Sequence, residues 1–439
     1  MVKGLSNHGT PSLPVLLSSG KSSAIYPKMW APLRLHISWS DLAFGILHCF
    51  LPGDRANLQH QVEEFWSSEG DALACFSVRS GFDLLLQTLA LPPGSEVLMS
   101  ALNVKAMTRV VKRNGLVPVP VDLNLDSMGP TVESLTRAIS PATRVLVVAH
   151  LFGTRLPLDP LLEIAKRHNL LFVEDCAQAF VGQGYTGHPS ADVSMFSFGP
   201  IKFATALGGA LLCVRNAQLL QHMRQRQALY PVQTKRSYLL RLLKFAGLKV
   251  VVSRLVFAVL SKIARLLKWE YEDAISDAAR GVARLGSAKQ LRYQPSASLL
   301  AVLLRRLRRW QSSDLDARIH AGAMLVRYLD NVVVCPGMHN PMHRYWVFPI
   351  LADDPPAIHA ALRQAGFYSA SLTRSETVAP PEDRPDLDAV VAKQALSKLV
   401  VLPCYQSMPP AELQRQAEVV KEAVEASRRA HAAEGCDRA

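Results

Sequence analysis

The sequence of 439 residues lacks several features that would place it in a special class of protein. Its seven cysteines include no C-x-x-C pair, so neither a disulfide framework nor a zinc site is predicted, and the thiols are expected to be reduced. No uncharged apolar run reaches the roughly 18 residues of a transmembrane helix. The first residues do not follow the secretory pattern of a basic segment, an apolar core and a cleavage site. We therefore predict a cytoplasmic protein with no metal site.

Acidic residues are absent from one stretch of the chain. Residues 217–268 contain eleven lysines or arginines and no aspartate or glutamate, which accounts for most of the formal net charge of +13. This segment has no zinc-finger, helix-turn-helix or RNP signature, so nucleic acid is not a predicted partner. Arg254, Lys262 and Lys268 recur there at helical spacing. Two interpretations stay open for residues 238–269: a peripheral contact with an anionic membrane, or a helical subdomain packed on a dimer.

Short β-branched runs alternate with helical segments in the first half of the chain. Strands are predicted at 72–78, 96–100, 117–122, 144–150, 170–175, 193–198 and 210–214, with helices at 81–90, 105–114, 131–138 and 160–168. This alternation predicts an α/β fold, a three-layer α/β/α large domain with a mostly parallel sheet. Ligands of such sheets bind at the carboxyl ends of the strands.

The rest of the chain predicts three further parts. Strands at 345–351 and 399–402 and helices at 296–310, 356–365 and 410–432 indicate a connecting helix and a small α+β domain. The predicted division is an N-terminal arm and docking helix over 1–50, the large domain over 51–216, a basic helical insert over 217–291, and the connecting helix with the small C-terminal domain over 292–439.

Asp175 ends an apolar strand at the edge of the sheet where a ligand is expected. A buried carboxylate is costly without a partner, and a protonated pyridine nitrogen is one such partner. The alternative interpretation is that Asp175 only caps the next helix.

Lys202 is a lone cation in an apolar segment that leads to Gly208 and Gly209. Lysine is rarely buried unless it is paired or used covalently, and loss of hydration lowers the pKa of its amine. Such an amine can attack a carbonyl carbon. A lysine that extends along the surface towards solvent is the alternative.

Ser80 and Gly81 lie at a predicted strand-to-helix turn. The free N–H groups of a helix N-terminus bind phosphate, but a Ser-Gly opening serves equally well as an ordinary N-cap.

Taken in order, these segments resemble the DegT/DnrJ/StrS family of sugar aminotransferases, which depend on pyridoxal phosphate (PLP) and have the fold-type-I, aspartate aminotransferase architecture. The resemblance runs from about residue 50 to residue 425. It rests on Ser80-Gly81, Pro93–Val97, Gly115–Asp122, Val147–Gly153, Glu174–Ala179 and Ser197–Lys202. The resemblance implies a homodimer that transfers an amino group from an amino acid, L-glutamate in this family, to a nucleotide-linked keto sugar.

The resemblance also implies the catalytic roles. Lys202 stands where the family has its Schiff-base lysine, and Asp175 stands where an acid pairs with the pyridine nitrogen. Gln178 matches a Gln or His that contacts the cofactor ring. Because the related sugar dehydratases carry His in place of the lysine, Lys202 favours amino transfer.

Phosphate binding is implied for a second group of residues. Ser197 matches the hydroxyl that holds the cofactor phosphate, and Ser80 and Gly81 match the start of the phosphate-binding turn. Phe82, which follows them where the family usually has Thr, is also predicted to belong to this cofactor-binding turn. Arg292 stands at the family's Asn, which reaches a neighbouring subunit's phosphate, so we expect Arg292 to contact the partner's cofactor.

Departures from the family pattern keep alternatives open for the substrate. The ring-stacking aromatic of the family is replaced by Leu102–Val104, and the segment from Lys202 to Gly208 is one residue shorter than usual. The alternatives are a PLP enzyme of the same fold that acts on another carbonyl compound near a membrane, and a non-catalytic regulatory protein of this fold.

Overall fold

The computed structural model of the chain describes residues 30, 35–253, 256, 259 and 291–436. The predicted basic positions Arg254, Lys262 and Lys268 and most of the N-terminal arm lie outside the described residues. None of the described helices is both long enough and apolar enough to cross a membrane.

The described strands, numbered along the chain, are β1 (Ala72–Cys75), β2 (Glu96–Ser100), β3 (Leu102–Val104), β4 (Val117–Val121), β5 (Leu123–Asn124), β6 (Gly129–Pro130), β7 (Thr143–Ala149), β8 (Leu171–Asp175), β9 (Val193–Ser197), β10 (Ala210–Val214), β11 (Phe348–Leu351), β12 (Ser375–Thr377) and β13 (Leu399–Leu402). The described α-helices are α1 (Trp39–Phe50), α2 (Arg55–Trp66), α3 (Val78–Leu89), α4 (Lys105–Arg113), α5 (Val132–Ala138), α6 (Asp159–Arg167), α7 (Ala217–Ala228), α8 (Lys235–Val251), α9 (Ala297–Arg308), α10 (Ser313–Leu329), α11 (Pro355–Gln364), α12 (Val390–Lys398) and α13 (Pro410–Cys436).

Seven of the described strands form the central sheet, in the order β1-β10-β9-β8-β7-β2-β4. Strand β10 runs antiparallel to both of its neighbours, and the other pairs are parallel. Strand β7 is buried along almost its whole length, as expected for an inner strand covered on both faces. The mostly parallel sheet predicted from the sequence is therefore confirmed.

Helices cover both faces of this sheet and make it the middle layer. Buried side chains of α3, α4 and α7 pack on one face. On the other face, α5 and α6 cover one end, while α1, α2, α8 and α9 cover the end that contains β10. Helix α7, which opens the predicted basic insert, thus shares the core of the large domain.

A separate core lies in the C-terminal part. Helices α10, α11 and α13 pack around the antiparallel pair β11–β13, and Trp30 joins this core. Strand β12 pairs instead with β3, at the carboxyl side of β2. This pairing places the C-terminal part beside the edge of the large sheet where ligands are expected.

The start of α3 differs from the prediction. The helix begins at Val78 and not at Gly81, because the Ser77 side chain accepts the Ser80 N–H and acts as the N-cap. Ser80 and Gly81 therefore lie inside the first turn of the helix and not at its opening.

Candidate active site

Lys202 lies in the loop between β9 and β10, and backbone hydrogen bonds hold this loop in a compact fold. The Lys202 N–H donates to the Gly199 carbonyl at 3.1 Å, and the Gly208 N–H donates to the Phe198 carbonyl at 3.1 Å. The Gly209 N–H donates to the Phe76 carbonyl at 3.0 Å. This last bond fixes the lysine loop against the turn that joins β1 to α3.

The Lys202 amine lies 3.8 Å from the centroid of the Trp346 ring. Burial of this amine lowers its pKa to about 7; the charge of Asp175 opposes the change and the charge of Arg79 adds to it. Although the residue as a whole is half-buried, its amine is surrounded by these groups. A large share of the amine is thus unprotonated near neutral pH.

Asp175 ends β8 and is buried on the face of the sheet that carries α3. One of its carboxylate oxygens, Oδ1, accepts the Ala177 N–H at 2.9 Å. Burial raises the pKa of Asp175, opposed by this hydrogen bond and by the charge of Lys202. The bond to Ala177 joins residues two positions apart, as the capping interpretation of Asp175 would predict. It leaves the other carboxylate oxygen, Oδ2, for another donor.

A hydrogen-bonded network lies on the opposite face of β8 and fixes its carboxyl end. Glu174 has no exposed surface and accepts bonds from His150 Nε2 at 2.7 Å, the Ser194 hydroxyl at 2.7 Å, the His188 N–H at 2.8 Å and the Tyr185 hydroxyl. Burial alone would raise the pKa of Glu174, but the bond from His150 and its other donors hold that pKa well below its usual value.

His150, Glu174 and Cys176 place three possible metal-ligand atoms within 4.8 Å of one another. The two ring nitrogens of His150 are already engaged, since Nδ1 accepts the Leu156 N–H at 3.1 Å and Nε2 donates to Glu174. Burial raises the pKa of the Cys176 thiol well above its usual value, which disfavours the thiolate that a metal requires. We therefore read this group as a structural network.

Gln178 lies on the loop that follows β8, and Ser197 is the last residue of β9. Gln178 Oε1 accepts the Phe152 N–H at 2.8 Å, so this side chain also holds the loop after β7. Ser197 Oγ accepts the Gly199 N–H at 3.4 Å at the start of the lysine loop. Both residues thus belong to the same sheet edge as Asp175 and Lys202.

The residues predicted on α3 lie in different surroundings from one another. The Ser80 hydroxyl is buried 2.9 Å from the Ser77 hydroxyl. A side chain at Gly81 would lie 2.6 Å from Leu212, so its glycine permits close packing of α3 on the sheet. Phe82 is fully buried in the core, with its ring among apolar side chains.

Arg292 is held within its own chain. Its Nε atom donates to Asp83 Oδ2 at 3.0 Å, on a later turn of α3 than Ser80. The predicted contact with a partner's cofactor stays a prediction.

Three residues of this site were missed in the sequence: Arg79, Arg241 and Trp346. Arg79 lies in the first turn of α3, and its position beside Ser80 was a usable signal. Arg241 and Trp346 reach the site from distant segments, and nothing in their local sequence marks them.

This sheet, with a lysine and a buried carboxylate at its carboxyl edge, agrees with the fold-type-I aminotransferase resemblance found in the sequence. Residues 54–421 match the model of the DegT/DnrJ/EryC1/StrS aminotransferase family. The chain belongs to this family, and the resemblance found in its sequence is confirmed.

Two curated relatives match part of the chain. GDP-perosamine synthase of Caulobacter vibrioides is 34% identical over 156 residues, which are 35% of this chain and 42% of that protein. UDP-N-acetyl-3-dehydro-alpha-D-glucosamine 3-aminotransferase of Acidithiobacillus ferrooxidans is 30% identical over 161 residues, 36% of this chain and 44% of that protein. The chain therefore spans less than half the length of the curated relatives it matches.

Solved structures share the fold over most of the chain. The sugar aminotransferase CalS13 from Micromonospora echinospora superposes with a TM-score of 0.63 at 21% identity, covering 90% of this chain and 100% of that one. Helicobacter pylori PseC, an aminotransferase of pseudaminic acid biosynthesis, gives 0.64 at 16% identity, covering 91% and 100%. At these identities the likeness establishes the α/β fold predicted from the sequence.

Proposed function

We propose that the chain is a PLP-dependent aminotransferase that moves an amino group from an amino acid, L-glutamate by family resemblance, to a nucleotide-linked keto sugar. One observation carries the proposal: the Lys202 amine and the buried Asp175 lie together at the carboxyl edge of the sheet. The pKa of this amine is lowered to about 7. The names of the two curated relatives contain a GDP-linked and a UDP-linked sugar, which supports the choice of a nucleotide-linked sugar as acceptor.

The side chains fit this cofactor. Asp175 is a buried carboxylate with one oxygen available for a protonated ring nitrogen, the partner that its burial requires. Gln178, after β8, would hold the ring, and Ser197, at the end of β9, would hold the phosphate, while Lys202 would attach the cofactor aldehyde. When bound, PLP supplies an electron sink for negative charge at the substrate carbon.

Lys202 Nζ serves as the proton carrier in this proposal. An amine with a pKa of about 7 takes a proton from the donor carbon and returns it at similar cost, which is the optimum for general acid–base catalysis near neutral pH. Trp346 packs against the amine from one side and would orient it. Asp175 keeps its negative charge when a cation faces it, and so stabilises the protonated ring nitrogen.

A visible absorption spectrum tests the proposal. Wild-type protein with PLP should show the band of the lysine-bound cofactor, and L-glutamate should bleach it, while Lys202→Ala should show no band. A band that glutamate leaves unchanged would point to another carbonyl reaction. A wild type without any band would contradict the proposal and favour the non-catalytic alternative.

We also propose that the enzyme is a cytoplasmic homodimer. Helices α1 and α8 pack side by side and expose Leu47, Phe50, Leu240 and Leu243, an apolar surface suited to a second copy of the chain. Light scattering of the wild type and Phe50→Glu tests this, with a monomeric variant expected. If the wild type is monomeric and sediments with anionic vesicles, the membrane interpretation of residues 238–269 applies instead.

A further inference from the structure

Two arginines from distant parts of the chain meet at the turn between β1 and α3. Arg79 lies in the first turn of α3, two residues after the N-cap Ser77. Arg241 comes from α8; its Nη1 donates to the Leu207 carbonyl at 3.2 Å, and its guanidinium lies 5.5 Å from the centroid of the Phe76 ring. Phe76 immediately precedes the N-cap, so both arginines belong to the same corner of the site.

No carboxylate among the described residues forms an ion pair with either arginine. Burial lowers the pKa of Arg79, and the charges of Arg374 and Arg241 lower it further. The charge of Arg79 also reaches Lys202. Arginine stays protonated in proteins, so this corner carries a permanent positive charge that is unfavourable unless an anion binds there.

The free backbone groups of α3 add to the attraction for an anion. The Ser77 side chain and carbonyl accept the N–H groups of Ser80 and Gly81, while the N–H groups of Val78 and Arg79 have no acceptor within the helix. Guanidinium groups beside such N–H groups suit an oxyanion that can accept several hydrogen bonds at once, such as a phosphate monoester.

We propose that Arg79 and Arg241 of the same chain bind the phosphate group of PLP. This inference rests on the proposed function. The family resemblance assigns contact with this phosphate to the residue after Ser-Gly and to a partner's Asn. In this chain the two arginines would make that contact instead. The residues at those two positions are otherwise engaged, since Phe82 is buried in the core and Arg292 is paired with Asp83.

Gly208 provides the space that Arg241 occupies. A Cβ atom at this position would lie 2.8 Å from Arg241 Nη1, and the next nearest atoms belong to Leu299 at 3.6 Å. Gly208→Ala should therefore displace the guanidinium and leave its charge in the protein. This variant separates the position of Arg241 from the overall charge of the corner.

The test compares PLP with pyridoxal, which has the same aldehyde and ring but no phosphate. Dissociation constants for both compounds would be measured by absorbance titration of the full-length protein for wild type, Arg79→Gln, Arg241→Gln and Gly208→Ala. At a pH well above the pKa of Lys202, where its amine is neutral in every variant, each variant should bind PLP roughly tenfold or more weakly, with pyridoxal affinity nearly unchanged. Inorganic phosphate should compete with PLP in the wild type, and less in the variants. Arg236→Gln, an exposed position of α8, is the matched control and should change neither constant.

Thermal denaturation and circular dichroism establish that each variant is folded, and any one folded variant suffices for the comparison. Unchanged PLP affinity in the variants, with a Lys202 band present, would overturn the inference and leave the proposed function standing. Equal losses for PLP and pyridoxal would also overturn it, because the arginines would then act only on the shape of the site. If wild-type protein forms no band with either compound, the proposed function itself fails.

Discussion

Glu174 illustrates at the scale of one residue how a buried charge is stabilised. Its carboxylate has four donors, among them the ring of His150 and the hydroxyl of Ser194, and no contact with solvent. Hydrogen bonds to a buried anion are stronger than neutral ones, and a buried anion that loses donors is costly. The network therefore holds the end of β8 in place, and with it the neighbouring Asp175.

We predict that Glu174→Gln lowers the free energy of unfolding by roughly 3 kcal/mol at pH 7. The folded pKa of Glu174 lies below its unfolded value, so its stabilisation is complete above about pH 4.3 and is lost as the pH falls through the folded pKa. The difference between wild type and variant, measured by urea unfolding, should narrow in acid. Glu163→Gln, at an exposed ion pair with Arg167, should have almost no effect at either pH.

We further predict the pH dependence of cofactor attachment. Because attack on the aldehyde needs a neutral amine, the rate should rise with pH and level off above about 7, the pKa of Lys202. Arg79→Gln removes a positive charge that lowers this pKa, so its midpoint should move to higher pH. Stopped-flow absorbance with pyridoxal measures both profiles. A wild-type midpoint near 10 would contradict the burial of the amine.

At the scale of the element, α1 is fixed to α9 by one buried acid. Asp41 closes a capping box with Ser38 in the first turn of α1, and it accepts Arg305 Nε at 2.9 Å and Arg306 Nη1 at 2.8 Å. Burial would raise the pKa of Asp41, but these partners together keep that pKa below its usual value. The acid thus adds an ionic attachment at the helix start to the apolar contact of the buried Leu42.

We predict that Asp41→Asn weakens this attachment by about 3 kcal/mol, because two partly buried guanidinium groups lose their counter-ion. Hydrogen exchange should show faster exchange throughout α1 while the central sheet stays protected. Asp54→Asn is the control, since Asn serves as well as Asp at the N-cap of α2. Loss of protection across the whole molecule would contradict a local role for Asp41.

The elements also show where the sequence was informative. The inner strands of the sheet were predicted within about one residue, because their apolar runs are short and clearly bounded. Helices α2, α10 and α12 were not predicted, since their polar and apolar residues mix along the chain and tertiary packing stabilises them. The start of α3 was placed too late because the Ser77 cap was not recognised.

The residues of the candidate site likewise divide into those that local sequence marks and those that only the folded chain brings together. Lys202 and Asp175 were singled out because each stands in an apolar segment where a charge is unusual, and the family resemblance gave them their predicted roles. Arg241 and Trp346 could not be predicted, because only the folded chain brings α8 and the segment before β11 to the lysine loop. Local sequence thus identified the groups proposed to react, while the surrounding groups depend on long-range packing.

At the scale of the whole molecule, the large sheet and the C-terminal part meet at the loop after β7. The Arg344 N–H donates to the Gly153 carbonyl at 2.8 Å, and the Trp346 side chain donates from Nε1 to the Ile201 carbonyl at 3.1 Å. Gly153 has a φ of 96°, and a Cβ there would lie 2.6 Å from the Trp346 backbone nitrogen. This contact joins the C-terminal part to the large domain two residues before Trp346, and so helps to hold Trp346 over Lys202.

We predict that Gly153→Ala lowers the free energy of unfolding by roughly 3 kcal/mol, because backbone strain and a backbone clash add together. Gly115→Ala is the matched control: Gly115 has a φ of 73° with no atom within 4 Å of the added carbon, so it should cost only about 1 kcal/mol of strain. Chemical unfolding measures both, and the band of bound PLP reports on the site. Gly153→Ala should also weaken that band, because Trp346 moves away from the amine, whereas Gly115→Ala should preserve it. Equal effects of the two variants would mean that the two parts of the chain do not depend on this contact for their placement.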